Sequence, residues 1–261
     1  MADTTALFDD LRDEGAELEE LVAALPPGQW GAATPAEGWS IAHQIAHLAW
    51  TDEQSLIAAT DPVAFGRVVE EAVAAFDTFV DDGAAAGAAL PPGELLDRWR
   101  TGRTRLAEVL AARGGGERIP WFGPPMSAAS MATARLMETW AHSLDVAEAL
   151  GVVREPTARL RHVAWIGVRA RDNAFRTHQL TPPAEPFRVE LTAPGGEVWV
   201  YGPEEAAQRV AGSAYDFCLL AVRRVHRADT GLTAVGPDAE RWLDLVQAFA
   251  GPPGAGREPR R

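Results

Sequence analysis

The stretch from Ala134 to Gly151, ARLMETWAHSLDVAEALG, constrains what this chain can fold into more than any other. Its apolar residues recur at helical spacing, yet Arg135, Glu138, His142 and Asp145 follow one another at steps of three, four and three. All four therefore project from one side of a single helix. Leu136, Met137, Trp140 and Leu144 occupy the opposite side, and Met131, Ala134, Ala141 and Ala149 border the charged stripe. A helix that is apolar almost all round belongs in an interior, where charges need partners or a metal. The competing reading is a surface stripe in which Glu138 and His142 form an exposed pair.

A second stretch, WSIAHQIAHLAW from Trp39 to Trp50, places His43 and His47 four residues apart. On a helix they share a face, one turn above the other. The nearest well-known pattern is the H-E-x-x-H helix of zinc proteases, whose glutamate activates water. Gln44 stands at that position and cannot take a proton, which argues against a protease. A carboxylate and an imidazole one turn apart, with an imidazole from a facing helix, make three ligands and leave one position open. That is the ligand count of a catalytic zinc site. A His-Glu-His set also suits nickel, iron(II) or manganese. Asp145 either orients an imidazole from outside the ligand shell, caps the helix end or pairs with an arginine.

The periodicity of the remainder gives an α+β chain, mainly α. Helices are expected over residues 7–25, 40–58, from Pro62, from about Glu94, from Ser127 to Leu150, and from Pro156 to His178. Short proline- and glycine-rich turns between them suit an antiparallel bundle. After Pro186 the period changes. FRVELTA and EVWVYG alternate around Gly195 and Gly196 as a β-hairpin. Short strands near residues 209–211 and 232–235 and helices over 213–227 and 237–250 complete a second domain. The expected organisation is a helical bundle over 1–180, an α+β domain over 186–251 and a disordered tail over 252–261.

Composition narrows the chemistry. Among 261 residues there is no lysine, which removes Schiff-base and lysine-nucleophile mechanisms. The net charge of −13 argues against a nucleic-acid partner. Cys218 is the single cysteine, so there is neither an internal disulfide nor a thiolate zinc cluster, and it reads as a small core residue. The N-terminus lacks the form of a signal peptide, and no run approaches the roughly 18 apolar residues of a membrane span. The cytoplasm is the expected location. The arginines from Arg98 to Arg118 read as a solvated helix face, Ser127 and Ser130 as capping residues. Trp30, Trp39, Trp50 and Trp121 read as core filling or as pocket lining.

The chain resembles the mycothiol-dependent maleylpyruvate isomerase family along nearly its whole length. GWSIAHQIAHLAW follows the pattern G-W-t-x-x-x-x-x-A-H-L-A, and RLMETWAHSLDVAEALG follows R-x-x-E-x-x-x-H-x-x-D-x-A-x-A-L-G. The resemblance implies an N-terminal DinB-like four-helix bundle holding a divalent metal, followed by a small α+β, sterol-carrier-like domain. It places the ligands at His47, Glu138 and His142, with His43 a neighbour of the site. It also implies a substrate-binding arginine after AYDFCLLAVRRVHR begins. Arg224 matches best, Arg223 competes, and a surface role complementing the helix dipole stands beside both. The family usually shows glycine immediately before that arginine, whereas this chain has Arg223.

By the same resemblance the metal, most simply zinc, lowers the pKa of a low-molecular-weight thiol, mycothiol. The thiolate then adds to an activated double bond, and rotation and elimination give the isomer. Thiol transfer or epoxide opening needs the same parts. The partners implied are a small-molecule substrate and the thiol, with neither nucleic acid nor membrane, in a monomer or homodimer. Two other readings remain: a hydrolase using metal-activated water, and a non-catalytic metal-binding or small-ligand carrier protein.

Overall fold

The computed structural model describes residues 4–113 and 116–260. The outer ends of the N-terminal and tail expectations, residues 1–3 and Arg261, lie outside them. Chain contacts divide the molecule into two compact units that meet between Arg154 and Glu155.

The first unit contains α1 (Thr4–Val22), α2 (Ile41–Thr60), α3 (Pro62–Ala74), α4 (Phe79–Ala88), α5 (Pro92–Ala112) and α6 (Ala128–Ala149). Leu18 and Val22 of α1, Ile41, Ile45 and Leu48 of α2, Leu95 and Trp99 of α5 and Val146 of α6 share one core, which Trp30 closes. The caps follow the sequence. Ser127 Oγ accepts from the Ser130 N–H at 3.1 Å at the start of α6. Asp61 Oδ1 accepts from the Ala64 N–H at 2.9 Å at the start of α3.

Helix α4 is absent from the periodicity because, beyond Phe79 packed edge-on against Trp50, its contact face is made of small residues. A Cβ at Gly83 would lie 2.7 Å from Trp50 Cε2, and one at Gly87 would lie 2.8 Å from the Ala46 Cβ. Hydrogen at these two positions lets α4 approach α2.

The charges on the buried helices are matched across the bundle. Arg135 of α6 and Asp52 of α2 are 3% and 4% exposed, and Arg135 Nε donates to Asp52 Oδ1 at 2.8 Å. Burial pushes the Asp52 carboxyl above its ordinary range, and the guanidinium offsets only part of that. The arginines of α5 are not simply a solvated face. Arg98 holds Glu53 of α2 through two bonds of 2.6 Å, and Arg100 and Arg103 share Glu19 of α1.

The second unit contains α7 (Leu160–Arg169), α8 (Arg171–Thr177), β1 (Phe187–Thr192), β2 (Val198–Tyr201), β3 (Gln208–Ser213), α9 (Ala214–Ala221), β4 (Thr233–Val235) and α10 (Pro237–Leu245). The four strands form a sheet in the order β2-β1-β3-β4, with β1 and β3 parallel and the outer pairs antiparallel. Phe217 of α9 and Phe187 of β1 pack on Trp242 of α10.

Two features depart from the periodicity. The helix expected over 156–178 is two, and both α7 and α8 fall in the second unit. At Gly167, α7 comes so near α9 that a Cβ would lie 3.0 Å from the Phe217 ring. Helix α9 stops at Ala221, short of the expected Arg227, because Arg223 takes a left-handed backbone with φ of 62°. Residues 252–260 have no regular structure, but the Arg260 N–H donates to Asp229 Oδ2 at 2.8 Å. No helix among the described residues is long and apolar enough to cross a membrane.

Removing one partner of the Arg135–Asp52 pair strands a buried charge, whereas an apolar pair of similar volume does not. In urea denaturation Asp52→Ala is expected to lose roughly 3–5 kcal/mol. The double variant Asp52→Leu, Arg135→Met should lose much less. Equal losses would show that the pair is not buried as described.

Candidate metal centre

The site is built where α2 and α6 face one another inside the first unit. Helix α2 begins at Ser40, and the imidazole of His43 sits in its first turn. His43 Nδ1 lies 2.8 Å from Ser40 Oγ and 3.4 Å from the Ser40 backbone N. This is a helix-start contact, the third residue reaching back to the cap. His43 is thus engaged at the helix end, and His47, one turn deeper and buried, faces α6.

His47, Glu138 and His142 converge. One ligand atom from each lies within 4.8 Å of the others. The Nε2 atoms of His47 and His142 each stand 3.3 Å from the same oxygen, Glu138 Oε2. Burial works against charge on Glu138, but the two imidazoles outweigh it and hold the carboxyl well below its ordinary range.

A hydrogen-bond chain decides which His142 nitrogen carries the proton. Thr34 Oγ1 donates to the Trp39 carbonyl at 2.9 Å, so its lone pair faces Gln44, whose Nε2 donates to it at 2.9 Å. The amide oxygen of Gln44 is thereby turned to His142 Nδ1, which must donate to it. In a neutral ring the other nitrogen, Nε2, then presents a lone pair to a carboxylate oxygen. That lone pair can share a cation with the carboxylate, whereas a doubly protonated ring donates from Nε2 and pairs with Glu138 directly.

The distances fit such an ion. Imidazole–carboxylate ion pairs close to about 2.7–2.9 Å. Donors around a tetrahedral zinc, bonded at about 2.0–2.2 Å, stand about 3.3–3.6 Å apart. The observed 3.3 Å spacings are longer than the first and reach the short end of the second, and the ligand atoms of all three residues lie within 4.8 Å of one another. Nothing plays the part of Gln44 for His47, whose Nδ1 is buried without a hydrogen-bond partner among the described residues.

Aromatic rings flank the three donors. Trp39 lies 5.3 Å from the His47 ring and 6.0 Å from that of His142, with its indole N–H donating to Asp81 Oδ1 at 3.0 Å. Trp50 stands 6.3 Å from His47 on the same helix. Trp121 stacks on Phe65 instead, and Trp30 belongs to the core. Arg135 is engaged with Asp52, while Asp145 is buried on the same helix. Arg224 lies in the second unit, where its Nη1 donates to the Val222 carbonyl at 2.8 Å. Arg223 occupies the position at which the resemblance expects glycine, the residue best suited to its positive φ. Cys218 is buried, and burial pushes its thiol well up, as a core residue requires.

Comparison with known proteins now bears on this geometry. The family model described as the mycothiol maleylpyruvate isomerase N-terminal domain matches residues 11–147, which include all three donors. The chain belongs to this family. A model described as wyosine base formation matches residues 183–234 of the second unit. Two Mycobacterium tuberculosis proteins, both described as uncharacterised, are each 57% identical over 257 residues, covering 98% of this chain and all of theirs. The crystal structure of the mycothiol-dependent maleylpyruvate isomerase superposes with a TM-score of 0.59 at 18% identity. That alignment covers 88% of this chain and 92% of the other, and a histidine-to-alanine variant of the same enzyme matches at 17% identity. The likeness to these two structures is one of fold.

Gln44 is the site residue whose part the spacing along the chain did not show. It counts against one chemistry as a missing base, and the structure places it as the partner that orients His142. Losing such a partner typically weakens metal binding by about 10- to 100-fold. Chelator competition should show that loss in Gln44→Leu, while Gln44→Glu, which keeps an acceptor, should bind at least as tightly as the parent. Unchanged affinity in Gln44→Leu would remove the orienting role.

Proposed function

We propose that this protein is a divalent-metal-dependent enzyme that activates a low-molecular-weight thiol. The reaction class is isomerisation or thiol transfer on a small, electrophilic, carboxylate-bearing substrate. The observation that carries the reading is the convergence of His47, Glu138 and His142 at ligand spacing on two facing helices. Family membership supports it, as does the printed name of the structural neighbour, a mycothiol-dependent maleylpyruvate isomerase. A divalent ion held by these residues, most simply zinc, supplies the Lewis acidity that lowers the pKa of a coordinated thiol. Nickel, iron(II) and manganese accept the same donors.

The protein's own groups supply the rest. Gln44 keeps the His142 proton on Nδ1, so that Nε2 remains a donor. Glu138 stays ionised between the two imidazoles and adds the negative charge that anchors a dication. Trp39 and Trp50 shield one side of the donors from water, which strengthens electrostatic interactions there. Arg224 is proposed to hold the substrate carboxylate, on the strength of the resemblance alone. A hydrolase would need a base beside the donors, and the polar groups hydrogen-bonded there, Gln44 and Thr34, do not take protons.

Purified protein is expected to carry about one divalent ion per chain, lost in the double variant Glu138→Ala, His142→Ala. Retention of the metal by that variant would show the ligands to be misassigned. In cobalt-substituted protein, mycothiol should shift the visible absorption saturably. Ester or amide turnover without any thiol effect would replace this reading with the hydrolase. Arg224→Ala should raise KM for a carboxylate substrate and leave metal content unchanged.

A further inference from the structure

A run of aromatic rings leads away from the metal donors through the first unit. It begins at Trp50, whose ring stands 6.3 Å from that of His47 on the same helix. Phe79 of α4 meets Trp50 edge-on at 5.0 Å, and Phe122 meets Phe79 at 5.8 Å. Phe122 in turn lies 5.0 Å from Trp121 and 5.1 Å from Phe65. Ring follows ring from a candidate ligand to the protein surface.

Core packing explains only part of this run. Phe65 is 1% exposed, and Trp121 stacks on it, which anchors the loop before α6. Phe122 stays 39% exposed, and Trp50 and Phe79 are half-buried. The loop itself holds Phe122 in place. Ile119 and Met126 exchange backbone hydrogen bonds of 2.8 and 2.9 Å, and Pro120, Pro124 and Pro125 restrict the chain between them. A ring fixed in advance loses little freedom when a ligand packs on it.

A second observation points to a ligand. Gln54 is 8% exposed, and its Oε1 is buried without a hydrogen-bond partner among the described residues. Positions 47, 50 and 54 are spaced by three and four, so Gln54 shares the face of α2 that carries His47 and Trp50. A buried acceptor is costly until a donor reaches it. Rings together with one open acceptor favour an aromatic small molecule with a hydroxyl over a purely hydrocarbon body.

We propose that the run from Trp50 to Phe122 receives a hydroxyl-bearing aryl group of the substrate, with its ring against Phe79 and Phe122 and its hydroxyl on Gln54. This rests on the reading of the donors as the site of a metal-dependent enzyme, and it names the substrate class as an aryl-substituted carboxylate rather than a compact aliphatic acid. Every residue it uses lies in the first unit.

The test titrates the purified full chain by calorimetry with three unreactive acids: propionate, 3-phenylpropionate and 3-(4-hydroxyphenyl)propionate. The phenyl group should tighten binding about tenfold or more, as expected for an aromatic ring leaving water. The hydroxyl should add about threefold, a gain erased in Gln54→Leu. Phe122→Ala should weaken both aryl acids about fivefold. Nuclear Overhauser effects in the parent should link the ligand ring to Phe79 and Phe122, a readout independent of how any variant folds. The proposal is overturned by equal affinity for propionate and the aryl acids, by a hydroxyl that adds nothing, or by ligand contacts confined to other residues. A parent dimer that Phe122→Ala converts to a monomer in sedimentation would assign the exposed ring to a second copy and overturn it likewise. Mycothiol titration of the cobalt-substituted protein separates this inference from the chemistry it rests on. A thiol response without aryl preference overturns the aryl site alone, whereas aryl binding without a thiol response overturns the thiol chemistry and leaves the aryl site standing.

Discussion

Charge inside a helical bundle is costly unless the ionised group finds a partner, and α6 imposes that condition on the helices packed against it. Desolvating a lone carboxylate or guanidinium costs several kcal/mol, on the order of the entire stability of a domain. The helix is therefore matched group by group from α2. Arg135 takes Asp52, His142 takes Gln44, and Glu138 sits between two imidazoles. These contacts set the register of α2 against α6, and the same register brings His47 to Glu138. The structural pairs and the candidate metal ligands are consequences of one alignment.

The remaining helices serve that alignment by different means. Arg98, Arg100 and Arg103 tie α5 to both α1 and α2 through carboxylates. Helix α4 has a single large apolar residue at its contact with α2, Phe79 against Trp50. Gly83 and Gly87 allow it to lie against Trp50 and Ala46, and Asp81 at its start holds the Trp39 indole beside the imidazoles. A helix of little intrinsic hydrophobic signal thus supports the wall of the site.

In the second unit the informative feature is a violation. Most residues there agree with their local structure: Ser213 caps α9, and β1 and β3 alternate between buried and part-exposed positions over most of their length. Arg223 does not, because the bend after α9 requires a backbone suited to glycine. The left-handed residue closes the helix end, with the Arg223 N–H on the Leu220 carbonyl and the Arg224 N–H on the Leu219 carbonyl.

The sequence by itself determined a good deal. Periodicity located α1, α2, α3, α5 and α6 and the change to strands after Pro186, because amphipathic spacing is a local property of the chain. The steps from Arg135 to Asp145 showed that Glu138 and His142 share a face, and the motif resemblance separated His47 from His43. Tertiary structure alone decided the rest. A glycine-faced helix such as α4 leaves no hydrophobic pattern, and the assignment of α7 and α8 to the second unit depends on close packing at Gly167. The partner of Arg135, the orienting role of Gln44 and the strain at Arg223 depend on residues distant in the chain or on a backbone bend. Such pairings are created by folding and have no counterpart in spacing along the polypeptide.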